Sequence, residues 1–137
     1  MVIEKDLKSD LYVMIRKSCK RYKLQHLHLD LRCVSRTSIV LSKIKSTIRQ
    51  IDPEAEVILY GSRASGDERP DSDRDLLILV NTKADLDYES VFRHRLFDLE
   101  LELEQSFSVT VHNKNQWRLK HWVTPLYQNI TREGIRI

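Results

Sequence analysis

Glycine and proline are scarce in this chain, three of each in 137 residues. That excludes collagen-like and linker-rich architectures. Cysteine is nearly absent as well. Cys19 and Cys33 lack CxxC spacing and have no accompanying Cys/His set. They read as free thiols in a reducing cytoplasm, not as a disulfide or zinc framework. No apolar run approaches the roughly 18 residues that a membrane span requires. The N-terminus has no apolar stretch ending in a small-residue cleavage site, so no secretory signal is read. No internal repeat is found.

What remains is a mix of 41% hydrophobic and 31% charged residues, the balance of a folded domain. The net charge of +3 is unevenly spread. Residues 1–35 hold eight basic residues against four acidic ones, so they carry +4 and the rest is close to neutral at −1. The chain therefore divides into a basic N-terminal extension, residues 1–34, and a domain over residues 35–137. Leu7, Leu11, Met14 and Ile15 fit a helical stripe in the extension. Its basic excess makes nucleic acid a partner to consider, but no aromatic stacking pattern accompanies it, and that reading ranks last.

From Ser35 the periodicity sharpens. Ser35 or Thr37 is expected to cap a helix carrying Val40, Ile44, Ile48 and Ile51, with Asp52-Pro53 stopping it. Ala55–Tyr60 reads as a buried strand, and Gly61–Pro70 as a polar loop. Asp73–Val80 is a second strand, apolar on both faces past Asp75, as in a sheet centre. Leu86–Gln105 has helical spacing, though its tail LELELE also fits a period of two. Phe107–His112 is a third strand. Gln116–Trp122 and Pro125–Glu133 read as short helices, the latter stopped by Gly134. The predicted order is αββαβαα, an α+β fold with a small mixed sheet and helices packed on it.

The chemistry concentrates in Tyr60–Val80. Gly61 permits close backbone approach because it has no Cβ. Ser62 and the amides after it can donate to phosphate oxygens. Asp73 and Asp75 are two positions apart on a strand, so both carboxylates share one face. Their repulsion is resolved by a divalent cation, and oxygen ligands with substrate phosphates suit Mg²⁺. Arg63, Arg69 and Arg74 are read mostly as solvent-facing loop arginines. His112 ends the third strand and is read as a surface residue. Trp117, Trp122 and Tyr127 are read as core or partner-facing.

The combination of Gly61-Ser62, a ten-residue spacer and Asp73-x-Asp75 before an apolar strand resembles the nucleotidyltransferase superfamily of DNA polymerase beta. Within it the chain resembles the minimal nucleotidyltransferase (MNT) domains. Arg63, Ala64 and Gly66 match the common GSRAxG form, and Ser72-Asp73 matches the usual SD pair. The resemblance covers roughly residues 38–137 and implies a palm-like fold. It implies Asp73 and Asp75 as catalytic, metal-holding residues, with two metals, and Gly61, Ser62 and Arg63 as nucleotide-binding residues. It further implies transfer of NMP, with AMP from ATP expected, to an acceptor. For MNT proteins the acceptor is often a HEPN-type toxin, modified on tyrosine by its antitoxin. One feature departs from the family pattern: the third strand, where a third carboxylate usually sits, has no acid. A nucleotide-binding protein that regulates a partner by contact is the alternative reading.

Overall fold

A computed structural model of the chain describes residues 30–61 and 73–137, with the side chains of residues 30–35 left aside. The basic extension before Asp30 and most of the 61–70 loop lie outside the described residues.

The first helix, α1, spans Asp30–Ile51. It buries Val40, Leu41, Ile44 and Ile48 on one stripe. Ser35 and Thr37 lie inside α1, so neither caps it. The helix ends at Ile51, where Pro53 forbids helical geometry at Asp52. Strand β1 (Glu56–Tyr60) follows. Strand β2 is Arg74–Val80, so Asp73 precedes the strand it was expected to open.

Helix α2 covers Leu86–Leu103 and starts at Asp85, whose side chain accepts from the Tyr88 amide at 3.0 Å. The LELELE tail is helical up to Leu103. Glu104 then takes a left-handed conformation, φ 52°, and ends the helix without a glycine. That conformation costs a residue with a Cβ about 1–2 kcal/mol. The turn is tied down on both sides: the Glu100 carboxylate accepts from the Phe107 amide, the Arg74 amide donates to Ser106 O at 2.9 Å, and the Arg74 side chain donates to Gln105.

Strand β3 is Phe107–Asn113. Helix α3 spans Lys114–Lys120, two residues earlier than the periodicity indicates, because the Asn113 side chain accepts from the amides of Asn115 and Gln116 and starts it there. Helix α4 is Pro125–Glu133, capped by Thr124. A two-residue strand that the pattern did not reveal, β4 (Ile135–Arg136), completes the described elements. Gly134 sits where a Cβ would meet Ile130 O at 2.4 Å and Ile58 Cγ2 at 2.8 Å, so only glycine fits between α4 and the sheet.

The four strands form one mixed sheet in the order β3-β2-β1-β4. β1 runs antiparallel to β2 and β4, and β2 runs parallel to β3, with α2 as the crossover. Alternation sends Val57, Leu59, Leu76, Ile78, Val80 and Val111 toward α1 and α2, where Phe92, Leu96 and Leu99 meet them. Ile58, Leu77 and Leu79 point the other way and pack against Trp117 of α3 and Ile130 of α4. The result is the expected α+β fold, a small mixed sheet with helices packed on it. Among the described residues no helix is long and apolar enough to cross a membrane.

Candidate functional site

The site lies where β1 ends and β2 begins. Register places Tyr60, Asp75 and Ser108 on one rung across β1, β2 and β3. Asp75 shares its face with Leu77 and Leu79, so the rung opens on the α3/α4 side of the sheet. Asp73, exposed just before the strand, stands two residues away, about 7 Å along the backbone.

Gly61 follows Tyr60 with φ +77°, a conformation that L side chains rarely adopt. A Cβ there would stand 2.1 Å from Asp75 Oδ2. Backbone and carboxylate thus meet with no room for a side chain. The sequence reading expected a ligand to approach Gly61; in the structure the space that a side chain would take holds the Asp75 carboxylate.

Burial and the neighbouring Asp73 charge push the Asp75 carboxyl above its ordinary range, while a hydrogen bond from the Ser108 hydroxyl pulls it back. A carboxylate held at electrostatic cost beside another, against a backbone cradle, matches the oxygen donors that a hard divalent cation takes. The donor set fits Mg²⁺, with Asp73 and Asp75 as the residues that would hold it. Among the described residues no group of three or more His, Cys, Asp or Glu is arranged to hold a metal.

Where α2 passes the edge of β3, an open groove of about 450 Å³ is lined mostly by α2 residues, Arg93, His94, Phe97 and Glu100, with Ser108 of β3; α2 covers the sheet face opposite the one on which the rung opens.

A family model described as nucleotidyltransferase domain matches residues 41–136. The chain belongs to the nucleotidyltransferase domain family. Among solved structures it is similar to one entitled "Crystal structure of the toxin-antitoxin with AMP-PNP", at 21% identity over 69% of each chain, with a TM-score of 0.52. At that identity the likeness speaks for the fold. No curated protein matches the chain significantly.

Of the residues that the sequence singled out, the structure brings Gly61 against Asp75 and sets Asp73 two residues before it. Ser62 and Arg63, also expected to bind nucleotide, lie outside the described residues, as does Arg69. Arg74 is not a solvent-facing loop arginine. It is 4% exposed and turned to the α2 side of the sheet, where it holds Gln105. The glutamates of LELELE cannot serve as the third acid, because α2 covers the opposite face and engages Glu100 and Glu102 with Phe107 and Lys43.

His112 is not a plain surface residue. It stacks on Trp117 and lies 4.7 Å from His121 between ring centroids. Four residues beyond Ser108, it stands about 13 Å along the strand from the rung. Trp117 is buried, Tyr127 lies against it, and Trp122 is exposed.

Tyr60 and Ser108 share the Asp75 rung, and the sequence reading did not single them out. The signal for Ser108 was present: in FSVTVH, Ser108, Thr110 and His112 alternate with Phe107, Val109 and Val111. Only the first set shares the Asp75 face.

Proposed function

We propose that the protein transfers AMP from ATP to an acceptor hydroxyl, with Mg²⁺ held by Asp73 and Asp75. The observation that carries this reading is the contact between Gly61, at φ +77°, and the Asp75 carboxylate, with Asp73 beside it. The acceptor oxygen attacks the α-phosphorus, the bond from that phosphorus to the α,β-bridging oxygen breaks, pyrophosphate leaves, and the hydroxyl proton passes to solvent. Mg²⁺ would supply charge neutralisation on the phosphates. The chain's own residues do the positioning: Gly61 lets the backbone approach the phosphates, with Ser62 and Arg63 following it in sequence, and Asp73 and Asp75 fix where the loaded triphosphate sits. Such transfer rests mainly on placement and electrostatics, so a short chain suffices.

The acceptor we propose is a partner protein of the HEPN toxin class, with this chain as its antitoxin. Support comes from the MNT-type motif and from the toxin-antitoxin neighbour bound to AMP-PNP. A cytoplasmic location is part of this proposal, supported by the reaction and by the reading of Cys19 and Cys33 as free thiols.

A second reading has its own observation. The position across from Asp75 is Ser108, not an acid, which favours a nucleotide-binding regulator acting by contact. Incubation with α-labelled ATP, Mg²⁺ and the product of the adjacent gene separates the two. Label on the partner that disappears in Asp73→Asn and Asp75→Asn is the expected result. Tight partner binding with no label, unchanged without metal, would overturn the transfer reading.

A further inference from the structure

Among the described residues β3 is an outer strand of the sheet. Its sequence, FSVTVHN, holds no Lys, Arg, Asp, Glu or Pro, the residues with which edge strands discourage pairing. We infer that a second copy of this chain pairs with this edge, β3 against β3 in the antiparallel sense, about a two-fold axis through Thr110. The two α2 helices then lie side by side over the joint.

The backbone decides the register. The Arg74 amide donates to Ser106 O, whereas the Phe107 amide points away from β2 and donates to the Glu100 carboxylate. Alternation then turns the backbone groups of Ser108, Thr110 and His112 toward β2 and those of Val109 and Val111 outward. A two-fold centred on Thr110 sets Val109 opposite Val111 of the second copy, so each outward N–H and C=O finds a partner. Centring it on Val109 would bring Val111 against Phe107, whose amide is taken. Centring it on Val111 would bring Val109 against Asn113, where α3 begins.

The helices agree with this register. β3 runs parallel to β2, so the crossover helix α2 runs against both. Thr110 lies about 10 Å along β3 from Phe107, and Phe97 lies about 10 Å along α2 from Glu104, so Phe97 stands level with the axis. Phe97 is 54% exposed and lines the groove that reaches the β3 edge at Phe107, Ser108 and Val109. Two helices that each cover a β2–β3 pair come about 10 Å apart across the joint, two strand spacings, which is the distance of packed helices. The charges are self-complementary. Arg93 and His94 precede Phe97, and Glu100 and Glu104 follow it, so antiparallel helices bring each set against its opposite. The same register sets Ser108 opposite His112 of the second copy, and the Tyr60–Asp75–Ser108 rung continues into the other chain.

Sedimentation velocity on the whole chain at rising micromolar concentration tests the pairing. The expected species has twice the 16.2 kDa of one chain, and exchange at the Val109 and Val111 amides slows as it forms. Phe97→Asp and Phe97→Lys, on a surface side chain, should each keep the parent's circular dichroism and sediment as monomers, because like charges meet on the axis. Mixed together, they should regain a one-to-one dimer. Val109→Pro removes an outward donor and leaves the β2 ladder intact, so it too should be monomeric; if it fails to fold, the Phe97 pair decides. A parent that stays monomeric overturns the inference, and protection of Val109 and Val111 at every concentration would then assign the edge to the chain's own residues 1–29. A dimer that survives both Phe97 variants, or a mixture that stays monomeric, overturns it as well.

Discussion

Replacing Gly61 with alanine tests whether the site is held by space, by backbone conformation, or by both. The added methyl imposes a left-handed conformation on a residue with a Cβ, at about 1–2 kcal/mol. It also meets Asp75 Oδ2 at 2.1 Å, so that side chain must turn away. Turning costs about 0.5–1.5 kcal/mol for a strained rotamer. The lost Ser108 hydrogen bond costs about 0.5–1.5 kcal/mol more. In Asp75→Ala both of these last costs vanish, and only the conformational one remains. A double-mutant cycle between Gly61→Ala and Asp75→Ala is therefore expected to show a coupling of about 1–3 kcal/mol. The gain that alanine brings by stiffening the unfolded chain is the same in both backgrounds and cancels. Urea denaturation reads the coupling. With a slope near 2 kcal/mol per molar, a coupling of about 2 kcal/mol separates the midpoint shifts by about 1 M. Equal costs of Gly61→Ala in the two backgrounds would refute the claim that the carboxylate sits against the backbone.

Because the folded state raises the Asp75 pKa, native protein binds more protons than unfolded chain between pH 3.8 and the folded value, so Asp75 costs stability as pH rises through that window. Asp75→Asn should raise the melting temperature at neutral pH, and added Mg²⁺ should raise it for the parent but not for the variant. His112 shifts the opposite way: burial and the nearby His121 lower its pKa, partly offset by Glu89. The unfolded chain then takes up more protons below about pH 6.5, and stability should fall as pH drops through that region; His112→Gln should flatten the fall in chemical denaturation across pH 5–8. Trp117→Ala should cost about 3–5 kcal/mol, while Trp122→Ala, on an exposed side chain, should stay within about 0.5 kcal/mol. Acrylamide quenching of the single-tryptophan variants should find Trp122 open and Trp117 shielded.

The strands were legible because burial leaves a plain mark. AEVILY and DLLILV are apolar on consecutive residues, as strands covered on both faces must be. Pro125 and Gly134 bounded α4 correctly because proline suits the first helical turn and the α4–sheet gap admits no Cβ. Two boundaries were not readable, and each has a tertiary cause. Helix α2 ends at Glu104 because Arg74 of β2 and the Phe107 amide of β3 fasten the turn, and no residue near Glu104 announces a stop. Strand β4 is two residues long and exists because β1 offers an edge for it. Gly61, Asp73 and Asp75 were singled out by their spacing together with the family resemblance that this spacing carries. Ser108 belongs to no motif, and only the parallel register of β2 and β3 sets it opposite Asp75. Arg74 was misjudged because its neighbours in sequence are loop-like, whereas strand alternation turns it inward.

The rung that carries the site joins two strands of unequal permanence. β2 is central and its residues from Leu76 to Val80 are fully or nearly buried, whereas β3 is an edge strand, with no further strand beyond it among the described residues and with several half-exposed side chains. Edge elements with fewer buried contacts open more often than central ones. Asp75 therefore keeps its place on the slow timescale of global unfolding, while Ser108, 33 positions later in the chain, is present only as often as β3 stays docked. Amide exchange should accordingly run faster along Phe107–Asn113 than along Leu76–Val80. Ser108 then joins and leaves the rung on a clock of its own, set by the fraying of one strand while the rest of the protein stays folded.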